Sequence, residues 1–279
     1  MGAFTRAGIV ILIATAAAAA DLASSGYPAA AVAADAEGNV YLAGSTKAPD
    51  LAVKNAFQGQ PGESQFLGSV DGGAAWTRAG SLGLEAPTAL AADVFTPGLL
   101  YGGSVDGIHK SSDGGRTWRL VLRPAQVSYP GVVHIAADPA TPGRVYAIMW
   151  SRGLVRSDDG GETWTTVFEQ QSVSTLDRIA PDPHGSGTMF FTAGAAMRVT
   201  RDGGRTWEFL PAPPGSVGWP RLAAFDPHQR GRVYLATAAG TLGQFWASAD
   251  YGRTWEARAN PPGAIWDDLL PDQIGRAHV

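Results

Sequence analysis

The chain has 279 residues, 36 of them glycine and 19 proline, with a formal charge of −4 at neutral pH. That length fits one large all-β domain or two ordinary ones, and that charge offers no basic field to nucleic acid or to an anionic membrane. Cysteine is absent, which removes disulfides, thiol catalysis, Cys-ligated zinc and a lipidated Cys anchor, and leaves the compartment open.

The first predicted element is an export signal. Met1–Arg6 carries one positive charge, and Ala7–Ala20 is apolar apart from Gly8 and Thr15. Ala18-Ala19-Ala20 before Asp21 satisfies the small-x-small rule for signal-peptidase cleavage. The apolar run is shorter than the roughly 20 residues a membrane-spanning helix needs. Residues 1–20 are therefore expected to be a signal peptide, the mature protein to be secreted or periplasmic, and no stable membrane insertion to follow.

From residue 29 onward one motif recurs. Ser69–Trp76 reads SVDGGAAW, Ser111–Trp118 reads SSDGGRTW, Ser157–Trp164 reads SDDGGETW, Thr200–Trp207 reads TRDGGRTW and Ser248–Trp255 reads SADYGRTW. The aspartates Asp71, Asp113, Asp159, Asp202 and Asp250 lie roughly 45 residues apart, about one four-stranded propeller blade. A second landmark keeps step: Asp93, Asp138, Asp182 and Asp226 precede Tyr101, Tyr146, Phe190 and Tyr234 by the same interval. Small-residue strands such as Ala89-Leu90-Ala91-Ala92 come before these aspartates, suited to crowding near an axis. Bulkier strands such as Val145–Trp150 come after, apolar on both sides as expected of a strand between two layers. The units predicted are 29–80, 86–123, 131–168, 175–210 and 219–259, with the start of another at 264–272.

These motifs resemble the Asp-box, or BNR, repeat of sialidases, sortilin-type receptors, xyloglucan-active glycosidases and photosystem II assembly-factor propellers, over about Ala86 to Asp272. The first unit, Val32–Thr46, is instead similar to the bacterial SBBP propeller repeat, followed by an inserted loop at Lys47–Ser64. The resemblance implies an all-β fold: a β-propeller of four-stranded antiparallel blades, about five blades and a partial one, with a ring that such a number would leave unclosed. It also implies that each box is the hairpin between the third and fourth strands, a structural clip in which the Asp accepts turn amides, the Gly pair allows φ > 0, the Thr caps, and Trp76, Trp118, Trp164, Trp207 and Trp255 pack on the blade.

If the boxes join strands three and four, they share a face with the Asp-Pro turns, and function falls to the opposite face. There the sequence places Tyr129, Arg152, Trp219, Arg221 and Trp266 as ligand-binding candidates, with Gln170 and the Lys47–Ser64 loop beside them. Glycosidase chemistry requires two facing carboxylates, and by loop placement Glu169 and Asp267 are the one tolerable pair. A sialidase would carry an N-terminal Arg-Ile-Pro element; the nearest string, Arg178-Ile179-Ala180-Pro181, is interrupted and mid-chain. His184 and His228 repeat within equivalent turns and do not cluster. No metal site or cofactor is expected, since Asp158-Asp159-Gly160-Gly161 lacks the Glu a calcium loop needs.

The final residues Gln273–Val279 leave the repeat. Back-translated as ATC-GGA-AGA-GCA-CAC-GTC, the last six match a common sequencing-library adaptor, so 273–279 are expected to be a non-native tail on a protein that continues. The leading expectation is a secreted bacterial propeller binding a glycan, peptide or protein. A truncated glycoside hydrolase, sialidase-like or xyloglucanase-like, and an assembly factor resembling the photosystem II propellers are the alternatives. Oligomeric state has no sequence signature here.

Overall fold

The computed structural model describes residues 29–34, 40–45, 64–69, 77–80, 87–124, 131–150, 152–169, 178–193, 196–239, 242–260, 270–271 and 277–278. Within them the secondary structure is entirely β, and no helix is long and apolar enough to cross a membrane. The predicted signal peptide, the first box with Asp71 and Trp76, and the candidates Tyr129, Gln170, Trp266 and Asp267 lie outside the described residues.

Five antiparallel sheets of four strands follow one another along the chain. The first comprises Ala29–Ala34 (β1), Val40–Ser45 (β2), Ser64–Ser69 (β3) and Thr77–Gly80 (β4). The second comprises Ala89–Ala92 (β5), Leu100–Ser104 (β6), Gly107–Ser111 (β7) and Arg119–Leu122 (β8). Val132–Ala137 (β9), Val145–Met149 (β10), Gly153–Ser157 (β11) and Thr165–Phe168 (β12) form the third. Ile179–Pro181 (β13), Met189–Ala193 (β14), Ala196–Thr200 (β15) and Glu208–Leu210 (β16) form the fourth, and Trp219–Phe225 (β17), Val233–Ala239 (β18), Leu242–Ser248 (β19) and Glu256–Arg258 (β20) the fifth. Each sheet keeps sequence order, so every strand pairs with its chain neighbours. The first strands pack on one another in succession, β1 on β5, β5 on β9, β9 on β13 and β13 on β17. That is the radial arrangement of a propeller, with small residues where strands converge.

The register explains why the second strand of a blade is apolar throughout. In β10, Val145, Ala147 and Met149 enter the core shared with Tyr101, Ile108 and Ile135 of the seam toward the second blade. Tyr146 and Ile148 enter the core shared with Met189 and Phe191 of the fourth. All five residues are buried, because a strand between two layers has no solvent side. In the fourth strands, β20 is exposed throughout, and β12 exposes Thr165 and Thr166 while Val167 and Phe168 are half-buried.

The four described box tryptophans pack where their own blade meets the blade before it. Trp118 packs with Tyr41 of the first blade, Trp164 with the second-to-third core, Trp207 with the third-to-fourth and Trp255 with the fourth-to-fifth. After the fifth blade, Leu270–Pro271 (β21) pairs with Ala277–His278 (β22) as a two-stranded sheet, so part of the expected tail takes part in strand pairing.

Candidate functional site

Four of the boxes are described, and they share one hydrogen-bond pattern. In the third, the Ser157 hydroxyl donates to Asp159 at 2.7 Å and accepts the Gly161 amide at 2.8 Å. The Thr163 amide and hydroxyl both donate to the Asp159 carboxylate, at 2.9 and 2.5 Å. Asp113, Asp202 and Asp250 are held in the same way by Thr117, Thr206 and Thr254. These donors favour the charged form, so Asp113, Asp159 and Asp202 titrate below the usual carboxylate range, and Asp250 is lowered to about 2 against the opposing pull of desolvation.

The second landmark completes the clip. Asp93, Asp138, Asp182 and Asp226 each accept amides of their own turns. An amide of each box then donates to a carbonyl of that turn: Gly114 to Gly98 at 3.0 Å, Gly160 to Gly143 at 2.7 Å, Gly203 to Gly187 at 3.0 Å and Tyr251 to Gly231 at 2.9 Å. Boxes and Asp turns therefore share a face, and both sets of carboxylates are occupied in holding turns. A polar cavity of about 90 Å³ lies on this side between the third and fourth blades, lined by Asp138, Arg144, Tyr146, Asp182 and Thr188.

The opposite face carries the turns between second and third strands and the connections between blades. Arg152, half-buried, occupies the turn between β10 and β11, its amide donating to Met149. Glu169 is exposed just beyond β12. Trp219 opens β17 opposite Ala238 and is 59% exposed, so it does not close a gap between blades. The loops before and after its blade are tied to β19. The Val217 amide donates to Gln244 Oε1 at 2.6 Å, and Asn260 accepts the Phe245 amide at 3.0 Å while donating to the Gly243 carbonyl at 2.6 Å. Arg221 lies in the same strand, two residues on, beside the register shift between Pro220 and Leu222. Trp219, Val217 and Gln244 are thus brought together; Arg152 and Glu169 belong to the third blade, two blades away in chain order.

Sequence reasoning passed over His134. It lies in β9 at the position Arg178 occupies before β13, four residues ahead of the turn aspartate. The residue is half-buried with its Nδ1 buried and unpartnered, and burial, reinforced by the charge of Arg178, pushes its pKa down to about 3. Among the described residues no three His, Asp or Glu side chains gather as metal ligands.

The family model for the BNR/Asp-box repeat matches residues 155–166, the third box with the end of β11. The chain is a β-propeller that carries a BNR/Asp-box repeat. No curated protein matches it by sequence. Among solved structures, this Asp-box propeller is similar to the GH74 enzyme of Niastella koreensis, at 22% identity and a TM-score of 0.62, over 83% of this chain and 38% of that one. It is similar to the GH74 xyloglucanase of Xanthomonas campestris at 20% and 0.61, over 82% and 38%. YCF48 bound to D1 peptide matches at 16% identity and 0.52, over 82% of this chain and 83% of that one. The propeller spans well under half the length of both GH74 enzymes, and at these identities the likeness is one of fold.

Proposed function

We propose that this Asp-box propeller is a binding module that holds a glycan, peptide or protein partner on the face away from its boxes. The observation that carries the reading is Trp219. A large aromatic ring lies 59% exposed, at the start of an innermost strand, with the loops before and after its blade fixed to β19 by Gln244 and Asn260. An aromatic platform held on rigid backbone stacks on sugar or side chain at small entropic cost. Similar folds include a xyloglucanase and a protein bound to a peptide, so both ligand classes belong in the search. Export to a secreted or periplasmic location is part of the same proposal, on the Ala7–Ala20 pattern.

The test is a glycan and peptide array probed with the purified chain and with Trp219→Ala. Wild type should retain a ligand that the variant loses, with unfolding unchanged. Equal retention by both proteins would remove Trp219 from the argument. Hydrolysis of a glycoside with no stable binding would replace a binding module with an enzyme.

A further inference from the structure

The box fixes its Asp, second Gly, Thr and Trp, and leaves two positions free: the residue after the opening Ser or Thr, and the residue after the second Gly. The third blade fills both with acids, Asp158 and Glu162. The fourth fills both with arginine, Arg201 and Arg205, and the fifth carries Arg253 at the second. The turn needs none of these side chains, so their charge is free to serve another purpose.

Around the third blade the acids consume the local cations. Glu162 takes Lys110 at 2.6 Å and Arg119 at 2.8 Å, and Asp158 takes Arg144 at 2.6 Å and Arg156 at 2.9 Å. Around the fourth and fifth blades the balance reverses. The carboxylates of Asp202, Asp226 and Asp250 are directed into their own turns. Glu208 pairs with Arg201 and Glu256 with Arg258. Arg205, Arg230 and Arg253 are exposed and have no carboxylate within ion-pair reach among the described residues.

Tyr251 contacts Arg230 and the paired Arg201. It stands where the other described boxes have Gly114, Gly160 and Gly203, and it is the one non-glycine residue with positive φ, 60°, among the described residues. A left-handed conformation is unfavourable for a residue with a side chain, and such outliers motivate a functional hypothesis. Its phenol accepts Arg230 Nε at 3.3 Å and its carbonyl accepts Arg201 at 3.4 Å, while Arg253, two residues on, donates to the Asp250 carbonyl at 3.4 Å. Gly231 lies under the ring: a Cβ there would come 3.3 Å from it.

We propose that the box face of the fourth and fifth blades is a second binding surface, for an anionic polysaccharide bearing carboxylate or sulfate groups. Guanidinium forks match the planar carboxylate and the sulfate bidentately. Arg205 and Arg253 occupy the same slot of adjacent blades, so a chain with regularly repeated charges can engage both at once, and linked weak contacts add through effective concentration. The surface is distinct from Trp219 and does not depend on the reading given for it.

The test uses the full chain against immobilised dextran sulfate and polygalacturonate, with neutral dextran, poly-glutamate and a single-stranded oligonucleotide alongside. Wild type should bind one or both anionic polysaccharides and weaken with salt. Substituting Arg205, Arg230 and Arg253 together by Gln should weaken binding roughly tenfold or more, as expected for three exposed ion pairs lost together. The melting temperature should be unchanged. Arg116→Gln with Arg119→Gln on the second blade should bind as wild type, and so should Trp219→Ala. Unaltered binding by the triple variant, equal loss in the second-blade control, or no binding by wild type would overturn the proposal. Tighter binding of poly-glutamate or oligonucleotide through the same arginines would overturn the ligand class.

Discussion

The two glycines of the third box allow the contact between blades to be separated from the conformation of the turn. Both have positive φ, 71° at Gly160 and 86° at Gly161. An alanine at either pays the left-handed penalty of roughly 1–2 kcal/mol. A Cβ on Gly160 would find its nearest neighbours at 3.7 and 3.9 Å, ordinary contact distances. A Cβ on Gly161 would lie 2.8 Å from Cε1 of Tyr101, in the preceding blade. Tyr101 is fully buried, so the ring has no room to retreat, and overpacking of this kind costs about 1–3 kcal/mol more. Gly160→Ala should therefore lose roughly 1–2 kcal/mol and Gly161→Ala roughly 2–5. Equilibrium urea unfolding followed by tryptophan fluorescence measures both. Adding Tyr101→Leu to Gly161→Ala should restore the difference as a coupling of about 1 kcal/mol or more. Equal losses in the two single variants, with no coupling, would refute the claim that the second glycine exists to admit the neighbouring blade.

Three further outcomes follow from the same structure. Because Asp159, Asp202 and Asp250 titrate lower folded than unfolded, their contribution is complete above the ordinary carboxylate range near pH 4 and is lost as pH falls toward 2; melting temperatures across that window should decline, and less steeply in Asp159→Asn. His134 is held neutral to about pH 3, so the unfolded chain binds its proton first and stability falls as pH drops below about 6.5; His134→Gln should flatten the melting temperature between pH 6.5 and 4 while keeping the loss below 4. Trp207→Ala should cost about 3–5 kcal/mol, since its ring lies edge-on to Phe168 and Phe191 and its indole donates to Val167 of the third blade, whereas the exposed Trp219→Ala should stay within roughly 0.5 kcal/mol in the same unfolding assay.

The fold was legible because the box states its own chemistry. Ser157, Asp159, Gly161 and Thr163 each meet a demand of one turn, and that demand repeats with each blade. The destination of Trp164 was not legible, because ring packing depends on a neighbouring blade that local sequence does not describe. Counting along the repeat placed Trp219 in a connection between blades, whereas it opens β17, and the bonds of Gln244 and Asn260 that tie the loops before and after its blade span 27 and 15 residues. The arginine surface was hidden by averaging: a formal charge of −4 says nothing of where charges lie. The signal was present in one slot of the aligned boxes, occupied by Arg116, Glu162, Arg205 and Arg253. His134 carried no sequence signal beyond its offset from Asp138.

The bond from each box amide to the carbonyl of its blade's Asp turn has a mechanical corollary. It rivets the two hairpin ends of a blade together at one rim of the wheel, in four successive blades. At the other rim the connecting segments are tied by side chains particular to a blade, as Gln244 and Asn260 tie those of the fifth, so length and residue type can change there together with the tie while the hub stays unaltered. A fold organised in this way can acquire new specificities at one rim alone, and can carry at the other only such variety as side chains projecting from a fixed frame allow.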